Sequence, residues 1–163
     1  MMYSIVHDWL KGAPTMEQSI QLTNLLCFSV YNMNRLFNKF YQQALEPFGL
    51  TYSQYLVLLA LWEHDQLTLH ALGEELKLNS NTLTPLLKRL ENNGWLVRTR
   101  PDSDRRQLIV SLTEQGKNNE KPVETALAKC IAAYHLTEEQ YKTALSLNKE
   151  IIDAFEQNLG RAE

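Results

Sequence analysis

Between Thr68 and Leu112 the sequence lays down two short helical segments, a tight polar turn between them, and two β-forming runs around a charged turn. Thr68 opens the first segment, which holds Leu72 and Leu76 with Gly73 between them. After Leu78, the run Asn79-Ser80-Asn81-Thr82 offers a helix cap, followed by Leu83, Leu86, Leu87 and Leu90 at helical spacing and a stop at Asn93-Gly94. Pro85 comes early in that helix and removes one backbone hydrogen bond, so a slight kink is expected there and not a break. Trp95 to Arg100 and Gln107 to Leu112 are rich in β-formers and flank Pro101-Asp102-Ser103-Asp104, which predicts a two-stranded hairpin with a polar tip.

Helix, turn, helix and basic hairpin together predict a winged helix-turn-helix, and the flanks make the fold mainly α. Residues 1–16 contain a Gly-Ala-Pro break and no period, so they read as a tail. From residue 17 onward, Leu22, Leu25, Leu26, Val30, Met33, Leu36, Phe37, Phe40 and Ala44 recur every three to four positions, predicting a long amphipathic helix that ends near Pro47 and Gly49. Thr51 or Ser53 caps a second helix through Trp62, with Tyr55, Leu58, Leu59 and Trp62 on its apolar side. Thr113-Glu114-Gln115-Gly116 starts a helical segment interrupted by Pro122 and running to about Tyr134. Thr137 and Gln140 then form a capping box before a last helix striped with Tyr141, Leu145, Ile151, Ile152, Phe155 and Leu159. Long apolar helices at both ends of so small a core predict a second copy packed on them. The expected layout is a tail (1–16), a helical dimerisation region (17–50 and 113–163) and a winged lobe (51–112).

Charge singles out the same lobe. The chain of 163 residues has a net charge of −3, yet residues 77–112 hold Lys77, Lys88, Arg89, Arg98, Arg100, Arg105 and Arg106 against only Glu91, Asp102 and Asp104. A basic window in an acidic chain suits phosphate, because clustered Lys/Arg supply the sequence-independent affinity for DNA. In a helix-turn-helix the second helix meets base edges with its N-terminal side chains. Here these are Ser80, Asn81, Thr82 and Thr84, with Ser80 and Asn81 also open to a mere capping role. Asn bonds adenine bidentately and a Thr methyl touches the thymine methyl. Lys88 and Arg89, one to two turns on, reach phosphates, and Arg98 adds to the basic surface; at the hairpin tip Arg105 or Arg106 is expected to enter the minor groove, with Asp104 orienting the neighbouring guanidinium.

Other function classes find little support. No apolar run approaches the roughly 18–20 residues of a membrane span. The two cysteines, Cys27 and Cys130, are too few for a secreted disulfide framework, so a cytoplasmic location is expected. His7, His64, His70 and His135 are scattered, and no nucleophile arrangement, phosphate-binding Gly loop or metal-ligand cluster can be composed. Neither an enzyme nor a cofactor or metal is expected.

The run L-G-E-E-L-K-L-N-S-N-T-L-T-P-L-L-K-R-L-E-N-N-G, followed by V-R-T-R-x-x-x-D-R-R-x-x-x-V-S-L-T-E-Q-G, resembles the MarR family of winged-helix regulators. L-L-C-F-S-V-Y and L-E-P-F-G-L-T-Y-S-Q-Y-L-V-L-L-A-L-W-E-H resemble its organic-hydroperoxide-sensing branch, OhrR, over about residues 20 to 118. The resemblance implies a homodimeric repressor that leaves a pseudo-palindromic operator when a cysteine is oxidised. By position the reactive cysteine is Cys27, the tyrosines that hydrogen-bond it are Tyr31, Tyr41 and Tyr52, and the wing pair is Asp104 and Arg106. One departure is Asn79-Ser80-Asn81-Thr82 where the branch reads D-S-G-T, which bears on operator preference. The 103-residue separation of Cys27 and Cys130 resembles that of two-cysteine forms, in which a downstream cysteine resolves the sulfenic acid; this implies an intersubunit disulfide.

The chemistry agrees with the resemblance. A peroxide is attacked by thiolate, so a sensor cysteine needs hydrogen-bond donors and exposure. Tyr31 shares a helix face with Cys27, whereas Tyr41, fourteen residues on, is about 21 Å away along a straight helix and reaches only the Cys27 of an antiparallel second copy. The competing reading is a MarR-type regulator that binds a small aromatic ligand and whose cysteines are structural.

Overall fold

The polar turns and caps of the sequence recur as element boundaries in the computed structural model, which describes residues 21–132 and 137–159. The expected tail, the start of the first helix before residue 21 and the expected helix end at Tyr134 lie outside the described residues. Two units divide the chain, residues 1–43 and 44–163.

In the first unit a 3-10 turn over Leu22–Asn24 leads into α1, Leu26–Leu45, which carries on into the second unit. The helix therefore begins later than the apolar stripe, whose Leu22 sits in the preceding turn. Its end matches expectation: Pro47 lies in a 3-10 turn over Glu46–Phe48, closed by Gly49 at φ 65°.

The second unit holds the winged lobe. Thr51 caps α2 (Tyr52–Glu63) through a capping box: its hydroxyl accepts from Gln54 N–H, and Gln54 Oε1 accepts from Thr51 N–H at 2.9 Å. Then come β1 (Leu67–Thr68), α3 (Leu69–Leu76), α4 (Ser80–Asn92), β2 (Leu96–Thr99), β3 (Ile109–Leu112), α5 (Glu114–Asn118), α6 (Glu120–Ala132) and α7 (Glu138–Leu159). Leu58 and Leu61 of α2, Leu72 of α3, and Leu83, Leu87 and Leu90 of α4 are fully buried with Val110 of β3 and Val123 of α6. The core thus sits beneath the helix-turn-helix, and α4 is clamped along one side with its polar side turned out.

Three expectations need correction. The sheet has three strands in the order β1-β3-β2, all antiparallel, with Leu67 opposite Val110 and Leu96 opposite Leu112. The wing hairpin is two-stranded as expected, but β1 is two residues long and offers no alternation to read. The buried face of α2 is Gln54, Val57, Leu58, Ala60 and Leu61, while Tyr55, Leu59 and Trp62 are half-buried; a helix apolar on nearly every side does not reveal which face goes inward. Pro122 interrupts nothing. It is the third residue of α6, where a backbone N–H has no partner within the helix, and the break falls at Asn119.

Candidate nucleic-acid interface and cysteine sites

The cap of α4 is Asn79, whose Oδ1 accepts from Thr82 N–H at 3.0 Å and Thr82 Oγ1–H at 3.1 Å. Ser80 and Asn81 are therefore not the capping side chains. Both are exposed, as are Thr84, Lys88 and Arg89 further along the helix. With the side of Leu83, Leu87 and Leu90 turned to the core, Asn81 and Lys88 lie on the opposite, solvent side by the 3.6-residue period. The helix presents an amide and hydroxyls at its start and cations behind them, on a stem held rigid by the core.

At the hairpin tip the structure brings Asp104 and Arg106 together. Asp104 Oδ1 accepts from the Arg106 backbone N–H at 3.1 Å and from its Nε–H at 3.2 Å. Arg106 otherwise extends into solvent with its side chain 93% exposed. Arg105 pairs with Asp102 at 3.0 Å, and Arg100 Nη1 donates to the Arg105 carbonyl at 2.7 Å, bracing the turn. Arg98 stands apart from this group: its guanidinium faces Glu91 of α4.

Glu91 is the lone carboxylate of α4, and no role for it was expected. Its Oε1 accepts the Arg98 backbone N–H at 3.1 Å, and its Oε2 accepts Arg98 Nε–H at 3.0 Å and Nη2–H at 2.6 Å. The hydrogen bond from the Arg98 side chain, above all, holds the Glu91 carboxyl below the usual carboxylate range against partial desolvation. An acidic residue alone among cations was the signal that could have exposed it.

The base of the wing is tied down separately. Thr113 Oγ1 donates to the Gly94 carbonyl at 2.6 Å and itself accepts from Gly116 N–H at 3.0 Å. Gln115 Nε2 donates to the Asn93 carbonyl at 3.2 Å, and Trp62 Nε1 donates to the Gly116 carbonyl at 3.0 Å. The exit of α4, the root of β2 and the start of α5 therefore form one hydrogen-bonded joint.

Cys27 is the second residue of α1, exposed and free. Tyr31 follows one turn later, exposed, its ring stacked near Phe28 with centroids 6.3 Å apart. Tyr41 lies on the same continuous helix, too far along it to reach its own chain's Cys27; its ring packs edge-on to Phe40, centroids 4.9 Å apart. Tyr52, half-buried, begins α2, and Cys130, half-buried and free, lies near the end of α6. Leu26, Val30, Met33, Leu36 and Phe37 of α1, and Tyr141, Leu145, Ile152 and Phe155 of α7, are about half exposed or more. Among the described residues no cluster of His, Cys, Asp and Glu is arranged to hold a metal ion, and no helix is long and apolar enough to cross a membrane.

Two helices across a tight turn, a shared core and a basic hairpin beside the second helix define a winged helix-turn-helix transcriptional regulator. Residues 39–122 match the family described as transcriptional regulator SarA/Rot, and the chain belongs to that family. It is 47% identical over 97 residues to the organic hydroperoxide resistance transcriptional regulator of Bacillus subtilis, a stretch covering 60% of this chain and 66% of that one. AbfR, solved overoxidized and bound to DNA, is similar at 47% identity and a TM-score of 0.71, over 82% of this chain and 94% of that one. A disulfide-formed AbfR structure is similar at 41% identity and a TM-score of 0.62, over 92% and 98%. The fold is also that of a MarR transcriptional regulator from Methanosarcina mazei, at 21% identity and a TM-score of 0.66 over 78% of this chain and 94% of that one.

Proposed function

We propose that the chain is a homodimeric, cytoplasmic, DNA-binding repressor that senses organic hydroperoxide through Cys27 and releases its operator on oxidation. The observation that carries this reading is a free, exposed cysteine in the first turn of α1, in a chain nearly half identical to AbfR, which has been solved reduced and overoxidized on DNA and also disulfide-formed. The bare apolar sides of α1 and α7 support dimerisation of the regions 17–50 and 113–163 around the winged lobes of 51–112.

In the proposed chemistry the Cys27 thiolate attacks one peroxide oxygen, the O–O bond breaks, and the alcohol leaves with a proton from water. Cys27 is then a sulfenic acid. The Cys130 thiolate of the second copy attacks its sulfur, the S–O bond breaks and hydroxide leaves, taking a proton from solvent to become water, so that an intersubunit disulfide remains. Tyr31, and Tyr41 and Tyr52 by the family resemblance, supply hydroxyl donors to the Cys27 sulfur. Ser80, Asn81, Thr82 and Thr84 read base edges, Lys88 and Arg89 neutralise phosphate, and Arg105 or Arg106 of the wing enters the adjacent minor groove.

Gel-shift assays on genomic fragments, with and without an organic hydroperoxide, test the reading. Wild type should bind and then release on oxidation, and Cys27→Ser should bind and ignore the peroxide. A Cys27→Ser protein that still releases its DNA would remove Cys27 as the sensor.

A further inference from the structure

Arg98 belongs to the basic window, yet its surroundings differ from those of the other cations. Its side chain is 21% exposed, against 79% for Arg105 and 93% for Arg106. It spends both a forked guanidinium contact and its backbone N–H on Glu91. The two residues sit on the two elements that a winged regulator must hold at a fixed angle. Glu91 is in the last turn of α4, and Arg98 is in β2, opposite Val110 of β3 in the hairpin. Nε–H and Nη2–H converge on Glu91 Oε2 while the backbone N–H takes Oε1, and three hydrogen bonds to one carboxylate fix orientation as well as distance, which a single ammonium contact does not.

We propose that Glu91 and Arg98 act as a clamp that sets the direction of the wing relative to α4, making both positioning residues and Arg98 no phosphate ligand. Between the clamp and the hairpin tip only Thr99 and Arg100 intervene before Pro101, so a small rotation at Arg98 displaces the exposed Arg106 at the far end. The joint at Thr113 and Gly116 fixes the root of the hairpin through the backbone carbonyls of Gly94 and Trp95, which precede β2, and through no side chain of β2 itself. The inference rests on the DNA-binding reading above.

The sign of one substitution separates the alternatives. Glu91→Gln removes a negative charge beside the proposed DNA face and loosens Arg98. Were Arg98 a phosphate ligand in waiting, this variant would bind operator more tightly with a steeper salt dependence. The clamp demands the reverse, a loss of about tenfold, and Arg98→Lys, which keeps the charge but not the fork, should lose affinity as well.

The test is fluorescence anisotropy on a selected operator for wild type, Glu91→Gln, Arg98→Lys, Arg106→Ala and the double variants with Arg106→Ala. If the clamp places the wing, Arg106→Ala costs less in either clamp variant than in wild type, because the wing tip is already out of position. A general loss of stability leaves the cost of Arg106→Ala unchanged, so this result would overturn the proposal, as would tighter binding by Glu91→Gln. Arg98→Lys supplies the same cycle should Glu91→Gln not fold. Wild type that binds no DNA fails the functional reading itself, an outcome distinct from any of these.

Discussion

Asp65 Oδ1 accepts the Leu112 backbone N–H at 2.9 Å, tying the loop after α2 to the last residue of β3. The same oxygen accepts Gln66 N–H at 2.9 Å, and the other lies 3.3 Å from Lys117 Nζ. Desolvation pushes the Asp65 carboxyl up, but the Leu112, Lys117 and Gln66 contacts together outweigh it and hold the group below its ordinary value. Removing the carboxylate leaves the N–H of buried Leu112 unpartnered, so Asp65→Ala should cost about 1–3 kcal/mol in urea unfolding. A depressed carboxylate stabilises the fold above its unfolded value of about 3.9, and that contribution fades as pH falls through the lower folded value. The gap between wild type and Asp65→Ala should be flat from about pH 5 to 8 and narrow in acid below about pH 4. A gap that stays constant into strong acid would deny the carboxylate its role.

Gly116 is buried against a neighbouring strand root. A Cβ there would stand 2.2 Å from the Trp95 carbonyl oxygen, an atom of the backbone that cannot swing aside. That oxygen also accepts Thr113 N–H at 3.1 Å, so moving it breaks the joint between β2 and α5. Gly116→Ala should therefore destabilise by about 1–3 kcal/mol, lowering the thermal midpoint by about 2–4 °C for each kcal/mol. A midpoint equal to wild type would mean that the joint yields freely.

These joints explain what the sequence could and could not disclose. Periodicity and caps located the helices because they act over three or four residues: Thr137 pairs with Gln140 as its spacing predicts, and of the two candidate caps Thr51 and Ser53 the structure selects Thr51, which pairs with Gln54. The ties across elements leave no such trace. Asp65 to Leu112 spans 47 positions and Trp62 to Gly116 spans 54, and no local pattern links them. Within the candidate site, charge clustering marked the wing and the family resemblance marked Asp104 with Arg106. Charge counting, however, placed Arg98 with the solvent-facing cations because it registers sign and not which way a guanidinium turns. Asn79 was likewise read only as part of a capping run, and the structure alone singles it out from Ser80 and Asn81.

For the wing itself, Arg106→Ala should weaken operator binding by about tenfold, since an exposed arginine steadied by Asp104 is placed to enter a minor groove at little entropic cost. Asp104→Ala should reproduce part of that loss by freeing the guanidinium. Binding should fall steeply with salt for both, as for wild type, because the cations of α4 remain. Anisotropy titrations across a salt series read this directly, and unchanged affinity in Arg106→Ala would exclude the wing tip from the interface.

Cys130 carries the sharpest prediction. It is half-buried on α6, in a stretch that would pass for ordinary helix packing, and it is free, as is Cys27. A disulfide requires Cα atoms within about 7 Å, and we propose that closing one between Cys27 and the Cys130 of the second copy shifts α6. α6 follows α5, whose capping residue Thr113 contacts the Gly94 carbonyl at the exit of α4, so a displaced α6 should pull on the joint that carries α4, the helix proposed to read DNA. Half-sites on a duplex are fixed about one helical turn apart and tolerate little such change, so oxidation should cost affinity without altering any DNA-facing side chain. Non-reducing electrophoresis after treatment with an organic hydroperoxide should show a covalent dimer that vanishes with dithiothreitol and is absent from both Cys27→Ser and Cys130→Ser. A monomeric band, with Cys27 overoxidised or capped by a small thiol in the mass spectrum, would assign the response to Cys27 alone.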